Sequence, residues 1–271
     1  MRLAVSLLTI LALAGCGGRD ESESETVVAA FYPLAWAAEQ VVADGTEVVN
    51  LTPPGAEPHD VELSSRDVET IREARLVIYV GGGFQAAVED AVSHREGTSL
   101  DVLDSERDPH VWLDPVRFAQ VVTEIGRAVE RPGRAGELAD ELVQLDESYR
   151  RGLERCARRT LVTSHAAFGH LADRYDLVEL SLTGVSPEAE PGPRELERLT
   201  EEVRASGATT VFAEPLVSDR IAETVAREAG LEVAVLDPLE GLSEDRLEGG
   251  EDYSSIMRDN LRALRGALGC R

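Results

Sequence analysis

The sequence predicts an α/β protein of two similar lobes, each a parallel sheet flanked by helices, joined by one long helix. Three observations predict it. Over residues 26–131, short β-branched runs alternate with amphipathic stretches, the β-α-β order that builds a mostly parallel sheet covered on both faces. At Pro132-Gly133 the alternation stops, a single long helical stretch follows, and the alternation then restarts. The 271 residues leave about 130 for each half, the size of an ordinary domain.

The elements follow in order. Thr26–Phe31 reads as a strand and Leu34–Ala43 as a helix, with Pro33 suited to its first turn. Glu47–Leu51 is a second strand, closed by the loop through Pro53, Pro54 and Gly55. Ser65–Ala74 is helical, Leu76–Val80 a buried strand, Phe84–Val92 a helix and Leu100–Leu103 a fourth strand. Pro115–Glu130 is helical, and Pro132-Gly133 breaks it. Ala135, Leu138, Leu142, Leu145, Tyr149 and Leu153 then recur at spacings of three and four, one apolar face of a long helix over 134–155. In the second half, Thr160–Thr163, Leu177–Leu180, Thr209–Ala213 and Glu232–Leu236 read as strands. Ala167–Tyr175, Pro193–Ala205, Asp219–Ala229 and Tyr253–Leu268 read as helices. The lobes are therefore expected at 26–131 and 156–271.

Charge excludes some functions. There are 51 acidic residues against 27 basic ones, a net charge of −24. Nucleic-acid binding needs a basic surface and is excluded. All the basic residues are arginine. Without lysine there is no Schiff base and no Walker A phosphate loop.

The first residues read as an export signal. Arg2 precedes an apolar run from Leu3 to Ala14, too short to span a bilayer. Leu13-Ala14-Gly15-Cys16 resembles the lipobox of bacterial lipoproteins, which implies removal of 1–15 and lipidation of Cys16. The acidic stretch over 16–25 reads as a flexible tether. An exported protein with two remaining cysteines, Cys156 and Cys270, invites one disulfide closing a long loop; two buried thiols are the alternative.

Three of the five histidines occupy equivalent places. His59 follows the second strand, His110 the fourth, and His165 follows TLVT directly. Asp237 stands after EVAVL in the same way. The carboxyl ends of parallel strands face the ligand crevice of an open sheet, so a cleft between two lobes would bring the four together. Three imidazoles and one carboxylate suit a small tetrahedral divalent ion, zinc first. Glu57 and Asp60 flank His59 as acceptors for a ligand histidine, a spare carboxylate, or solvated loop groups. Glu214 also follows a strand, as an acceptor for a ligand histidine or a hinge or packing residue. His170, five residues after His165, reads as structural, and His94 as solvated.

In order along the chain stand the lipobox, PHD after a Pro/Gly loop, DPHVWLDP, VTSHAAFGHLADRYDL, VFAEPLVS with IAETVAREAG, and VLDPL. Together they resemble the metal-binding lipoproteins that supply zinc and manganese ABC importers, over residues 26–268. The resemblance implies two α/β lobes bridged by one rigid helix, with the metal between them. It places the ligands on His59, His110, His165 and Asp237. Manganese members carry glutamate at the third position and zinc members histidine, so His165 favours Zn²⁺ over Mn²⁺. Many zinc members also carry a histidine-rich loop before DPH. Here 84–108 holds only one histidine, His94, with scattered acids that include Glu89, Asp90, Glu96, Asp101, Asp104 and Glu106, which argues against metal scavenging by that loop.

The expected function is an extracytoplasmic zinc receptor, not an enzyme. It would be a monomer held to membrane lipid through Cys16, delivering the ion to the membrane subunits of an ABC permease. Binding would weaken as pH falls through roughly 6.5, where imidazoles protonate. The alternatives are a manganese receptor of the same family, an exported zinc hydrolase and an adhesin. The hydrolase lacks an HExxH motif, and a fourth protein ligand would close its site.

Overall fold

The computed structural model describes residues 25–103, 108–187 and 191–271. Cys16, the signal segment 1–15 and the tether up to Ser24 lie outside the described residues, as do Asp104 and Glu106. Each lobe holds a four-stranded, all-parallel sheet. The first comprises β1 (Val27–Ala29), β2 (Val48–Asn50), β3 (Leu76–Tyr79) and β4 (Thr98–Asp101), in the order β2-β1-β3-β4. The second comprises β5 (Thr160–Thr163), β6 (Val178–Ser181), β7 (Thr210–Ala213) and β8 (Glu232–Val235), in the order β6-β5-β7-β8. The two orders are the same pattern, so the same crevice forms at the carboxyl ends of both sheets. The central strands β1 and β7 are buried along their length, while β4 and β8 are largely exposed edges.

Helices α1 (Tyr32–Val41), α2 (Ser65–Glu73), α3 (Ala86–Ser93) and α4 (Pro115–Ala128) complete the first lobe. Then α5 (Pro132–Leu153) crosses to the second. Its 22 residues span about 33 Å at 1.5 Å per residue. It begins two residues before the expected 134 because Pro132 enters its first turn, where a missing N–H costs nothing. All six apolar positions read from the sequence are buried. The second lobe adds α6 (Gly169–Arg174), α7 (Pro193–Ser206), α8 (Arg220–Ala229), α9 (Glu244–Glu248) and α10 (Tyr253–Leu268).

Two differences from the sequence reading have local causes. The fourth strand is Thr98–Asp101 and not Leu100–Leu103, because its register is set by β3, with Leu76 beside Thr98 and Tyr79 beside Asp101. Helix α9 was not expected, since it buries no residue and so carries no apolar period.

One apolar core runs through both lobes. It joins Phe31, Ile78, Trp112 and Phe118 of the first lobe to Leu145 and Tyr149 of α5, and to Phe168, Leu239, Tyr253 and Leu264 of the second. A smaller cluster around Val162, Val203, Val211 and Val225 lies between the second sheet and α7 and α8. Hydrogen bonds also tie the lobes. Trp112 Nε1 donates to Pro238 O at 2.7 Å, Tyr253 Oη to Trp112 O at 2.6 Å, and Gly55 N to Leu242 O at 2.8 Å. Arg174 reaches across to Asp114, the N-cap of α4, and to Asp146 on α5.

Cys156 and Cys270 are joined by a disulfide across 114 positions of chain. A loop of that length loses much conformational freedom in the unfolded state when closed. Replacing both cysteines with serine is expected to lower the unfolding free energy by about 2–5 kcal/mol. Denaturant melts with and without reductant check this, and an identical midpoint would show that the bond stabilises nothing.

Candidate metal centre

The three strand-end histidines meet in the crevice between the lobes. His59 sits in a single 3-10 turn, Pro58–Asp60, capped by Glu57, whose Oε1 accepts His59 N–H at 3.4 Å. His110 precedes a second such turn, Val111–Leu113. His165 stands just beyond β5. One nitrogen from each ring and one oxygen of Glu240 lie within 4.8 Å of one another. Nε2 of His59 and of His110 lies 3.1 and 3.0 Å from Glu240 Oε1, and Nε2 of His165 lies 3.3 Å from it. His110, His165 and Glu240 are buried, while His59 is the half-buried member. Phe84 packs edge-on against His59 at 4.5 Å, and Trp112 lies tilted against His110 at 5.1 Å. The centre is thus walled by aromatic rings on the first-lobe side.

Carboxylates orient two of the three rings from behind. His110 Nδ1 donates to Asp108 Oδ1 at 2.7 Å. Asp108 is itself placed by His170, whose Nε2 donates to its carbonyl at 2.9 Å. Gly169 makes room for that carboxylate, since a Cβ there would lie 2.6 Å from Asp108 Oδ2. Glu214 Oε2 lies 2.7 Å from His165 Nδ1, and its Oε1 accepts His165 N–H at 3.1 Å. Both ring nitrogens of His165 are buried without an aligned hydrogen-bond partner. Such acceptors fix a ring's tautomer and direct its other nitrogen at an ion.

The carboxylate of the group is Glu240, not the expected Asp237. Asp237 lies outside this group, and its carboxylate serves the turn that carries Glu240. Its Oδ1 accepts Leu239 N–H at 2.7 Å and its Oδ2 accepts Arg246 Nη1–H at 2.7 Å. Asn260 brackets its backbone, accepting Asp237 N–H at 2.9 Å and donating to its carbonyl at 2.7 Å. Leu239 then takes a left-handed conformation, φ +60°. This sharp turn swings the residue after it, Glu240, into the crevice. Among the flanking candidates, Glu214 lies against a histidine of the group, Glu57 caps the His59 turn, and Asp60 is exposed. His94 is exposed on the far end of α3.

The electrostatics favour a cation. Burial pushes the Glu240 carboxyl up, but the three imidazoles outweigh it and hold it well below the usual range. Burial depresses His165, yet Glu214 and Glu240 raise it to about 10. Against the same burial, Asp108 and Glu240 raise His110. Burial and the neighbouring Glu240 push Glu57 up to about 8. Its Oε2 is buried and unpartnered. The crevice thus gathers more carboxylate than its own imidazoles neutralise at high pH, which is the imbalance a divalent ion corrects.

Sequence reasoning missed Glu240, Asp108 and the job of His170. Asp108 was findable, as an acid two residues before a ligand histidine. Glu240 carried no such mark, because nothing in LDPLEG reveals a left-handed leucine.

The family described as "ZnuA: Zinc-uptake complex component A periplasmic" matches residues 27–267. The chain is 32% identical to the zinc-binding protein AdcA of Streptococcus pyogenes serotype M1, across 88% of this chain and 55% of that protein. It therefore spans about half the length of the curated streptococcal relatives it matches. It is 29% identical to the high-affinity zinc uptake system protein ZnuA of Bacillus subtilis strain 168, across 98% of this chain and 97% of that one. The crystal structure of the Zn(II)-bound ZnuA-like domain of Streptococcus pneumoniae AdcA superposes with a TM-score of 0.76 at 31% identity, covering 90% of this chain and 98% of the other.

Proposed function

Because the chain belongs to the ZnuA family of periplasmic zinc-uptake components, we propose that it is an extracytoplasmic receptor that captures Zn²⁺ between its lobes and delivers it to an ABC-type permease. The observation that carries this reading is the buried meeting of His59, His110, His165 and Glu240 within 4.8 Å. Three imidazole nitrogens and one carboxylate oxygen form a donor set suited to tetrahedral zinc. The ring nitrogens of His165 fit the set, since they are buried and make no aligned hydrogen bond that an ion would have to break. A third imidazole where manganese members carry glutamate favours zinc over the harder ion. Four protein ligands leave no open position for an activated water, which supports a carrier over a hydrolase.

In this mechanism the ion takes the place of the contacts that His59, His110 and His165 make with Glu240. Asp108 and Glu214 keep their rings aimed throughout. His59, half-buried, lies on the side from which the ion arrives. The core shared by both lobes and the hydrogen bonds across them resist wide opening, so release follows a small relative shift, driven by docking on the permease. We further propose that Cys16 carries the lipid anchor and that the receptor acts as a monomer.

The test is a competitive titration of the soluble chain beginning at Gly17 against a chromophoric chelator, with zinc and manganese in parallel. One tight zinc equivalent and much weaker manganese binding are expected. A nanomolar site corresponds to about −12 kcal/mol. Absence of a tight zinc equivalent would overturn the reading.

A further inference from the structure

Glu240 reaches the three histidines only because of the turn before it, and that turn is held together from outside the metal centre. Leu239 sits at φ +60°, a region a leucine enters at a cost and keeps only when its surroundings fix it. Four contacts do so. Asp237 Oδ1 accepts Leu239 N–H, Asn260 brackets the Asp237 backbone, and Trp112 donates to Pro238 O. The fourth is Arg246, which donates to Asp237 Oδ2 at 2.7 Å.

Arg246 differs from the other three. Asp237, Asn260 and Trp112 are buried, whereas the Arg246 side chain keeps 26% exposure. It comes from α9, a five-residue helix with no buried residue of its own. Its guanidinium is fixed on its other side by Glu251, at 2.9 Å to Nε and 2.7 Å to Nη2. Among the described residues, the side-chain bond from α9 to the Glu240 turn runs through this arginine. A planar guanidinium on one carboxylate oxygen fixes which way the other oxygen faces. The other oxygen is the one that receives Leu239 N–H.

We propose that Arg246 is a positioning residue that sets how long the metal stays bound, by locking Asp237 and through it the turn that aims Glu240. The inference rests on the zinc-receptor reading. With the lock loosened, Glu240 leaves the ion more often, while the three histidines still receive it at the same rate. The off-rate therefore changes and the on-rate does not.

The experiment measures zinc association and dissociation by stopped flow with a chelator chase on the mature chain. The variants are Arg246→Met, Arg246→Lys and the double replacement Arg246→Met with Asp237→Asn. Arg246→Met is expected to raise the dissociation rate tenfold or more with the association rate within twofold. Arg246→Lys, which keeps a donor and the charge, should recover at least half of that loss on a logarithmic scale. The double variant should dissociate as fast as Arg246→Met. An unchanged dissociation rate in Arg246→Met overturns the proposal. So does a wild-type rate in the double variant, because Arg246 would then only neutralise a buried charge. Should Arg246→Met not fold, Arg246→Gln, which loses the charge and the planar fork, carries the test: faster dissociation is expected, and dissociation as slow as wild type with melting lowered assigns Arg246 to stability alone. Failure of the unaltered chain to bind zinc would instead defeat the receptor reading itself.

Discussion

Replacing Glu240 by glutamine is expected to weaken zinc binding by more than about a hundredfold, beyond the roughly 10–100-fold that loss of a partner behind a ligand costs. The change keeps the shape of the side chain and removes the only carboxylate among the four donor groups. It also leaves three imidazoles facing a divalent ion with no anionic ligand. Asp237→Asn is expected to cost about tenfold, at the lower end of the range for a partner behind a ligand. An asparagine there can still accept Leu239 N–H, while its bond with Arg246 weakens. Competition against a calibrated chelator ranks the two variants directly. Equal losses, or a larger one at Asp237, would return Asp237 to the ligand set.

Zinc affinity is expected to fall steeply with acidification, and to begin falling well above the pH of an ordinary imidazole. The sign follows from the raised values. His165 is lifted to about 10 and His110 is lifted as well, in each case because adjacent carboxylates outweigh burial. In the metal-free protein at neutral pH the His165 ring holds a second proton, and coordination must expel it. Each expelled proton costs tenfold in affinity per pH unit. The His165 proton alone gives a slope of about one, or roughly a hundredfold between pH 8 and pH 6, and the raised His110 steepens the fall. The fall is thus displaced upward from the roughly 6.5 expected of free imidazoles. Titrations at several pH values, with calorimetry in buffers of different ionisation enthalpy, count the protons released. Constant affinity between pH 8 and pH 7, or release of no proton, would contradict the raised values.

The sequence by itself determined the architecture and three of the four members of the group in the crevice. Parallel sheets demand alternation of strand and helix, and the interruption by one long amphipathic stretch marks where one sheet ends and the next begins. Apolar spacing over Ala135 to Leu153 named the buried face of α5 without error, because a helix repeats every 3.6 residues whatever it packs against. His59, His110 and His165 were legible because strand ends in parallel sheets share one crevice. Cys156 and Cys270 were legible by counting.

Tertiary structure decided what local pattern does not encode. Asp237 and Glu240 are three residues apart, both acidic, and both in the loop after β8. Which one faces the histidines depends on the left-handed Leu239, on Asn260 and Arg246 further along the chain, and on Trp112 from the other lobe. The same holds for His170, whose partner is the backbone of Asp108, 62 positions away. Periodicity reports where a side chain points relative to its own element. A carboxylate at a turn is aimed by contacts from distant parts of the chain, and those exist only once both lobes have closed around it.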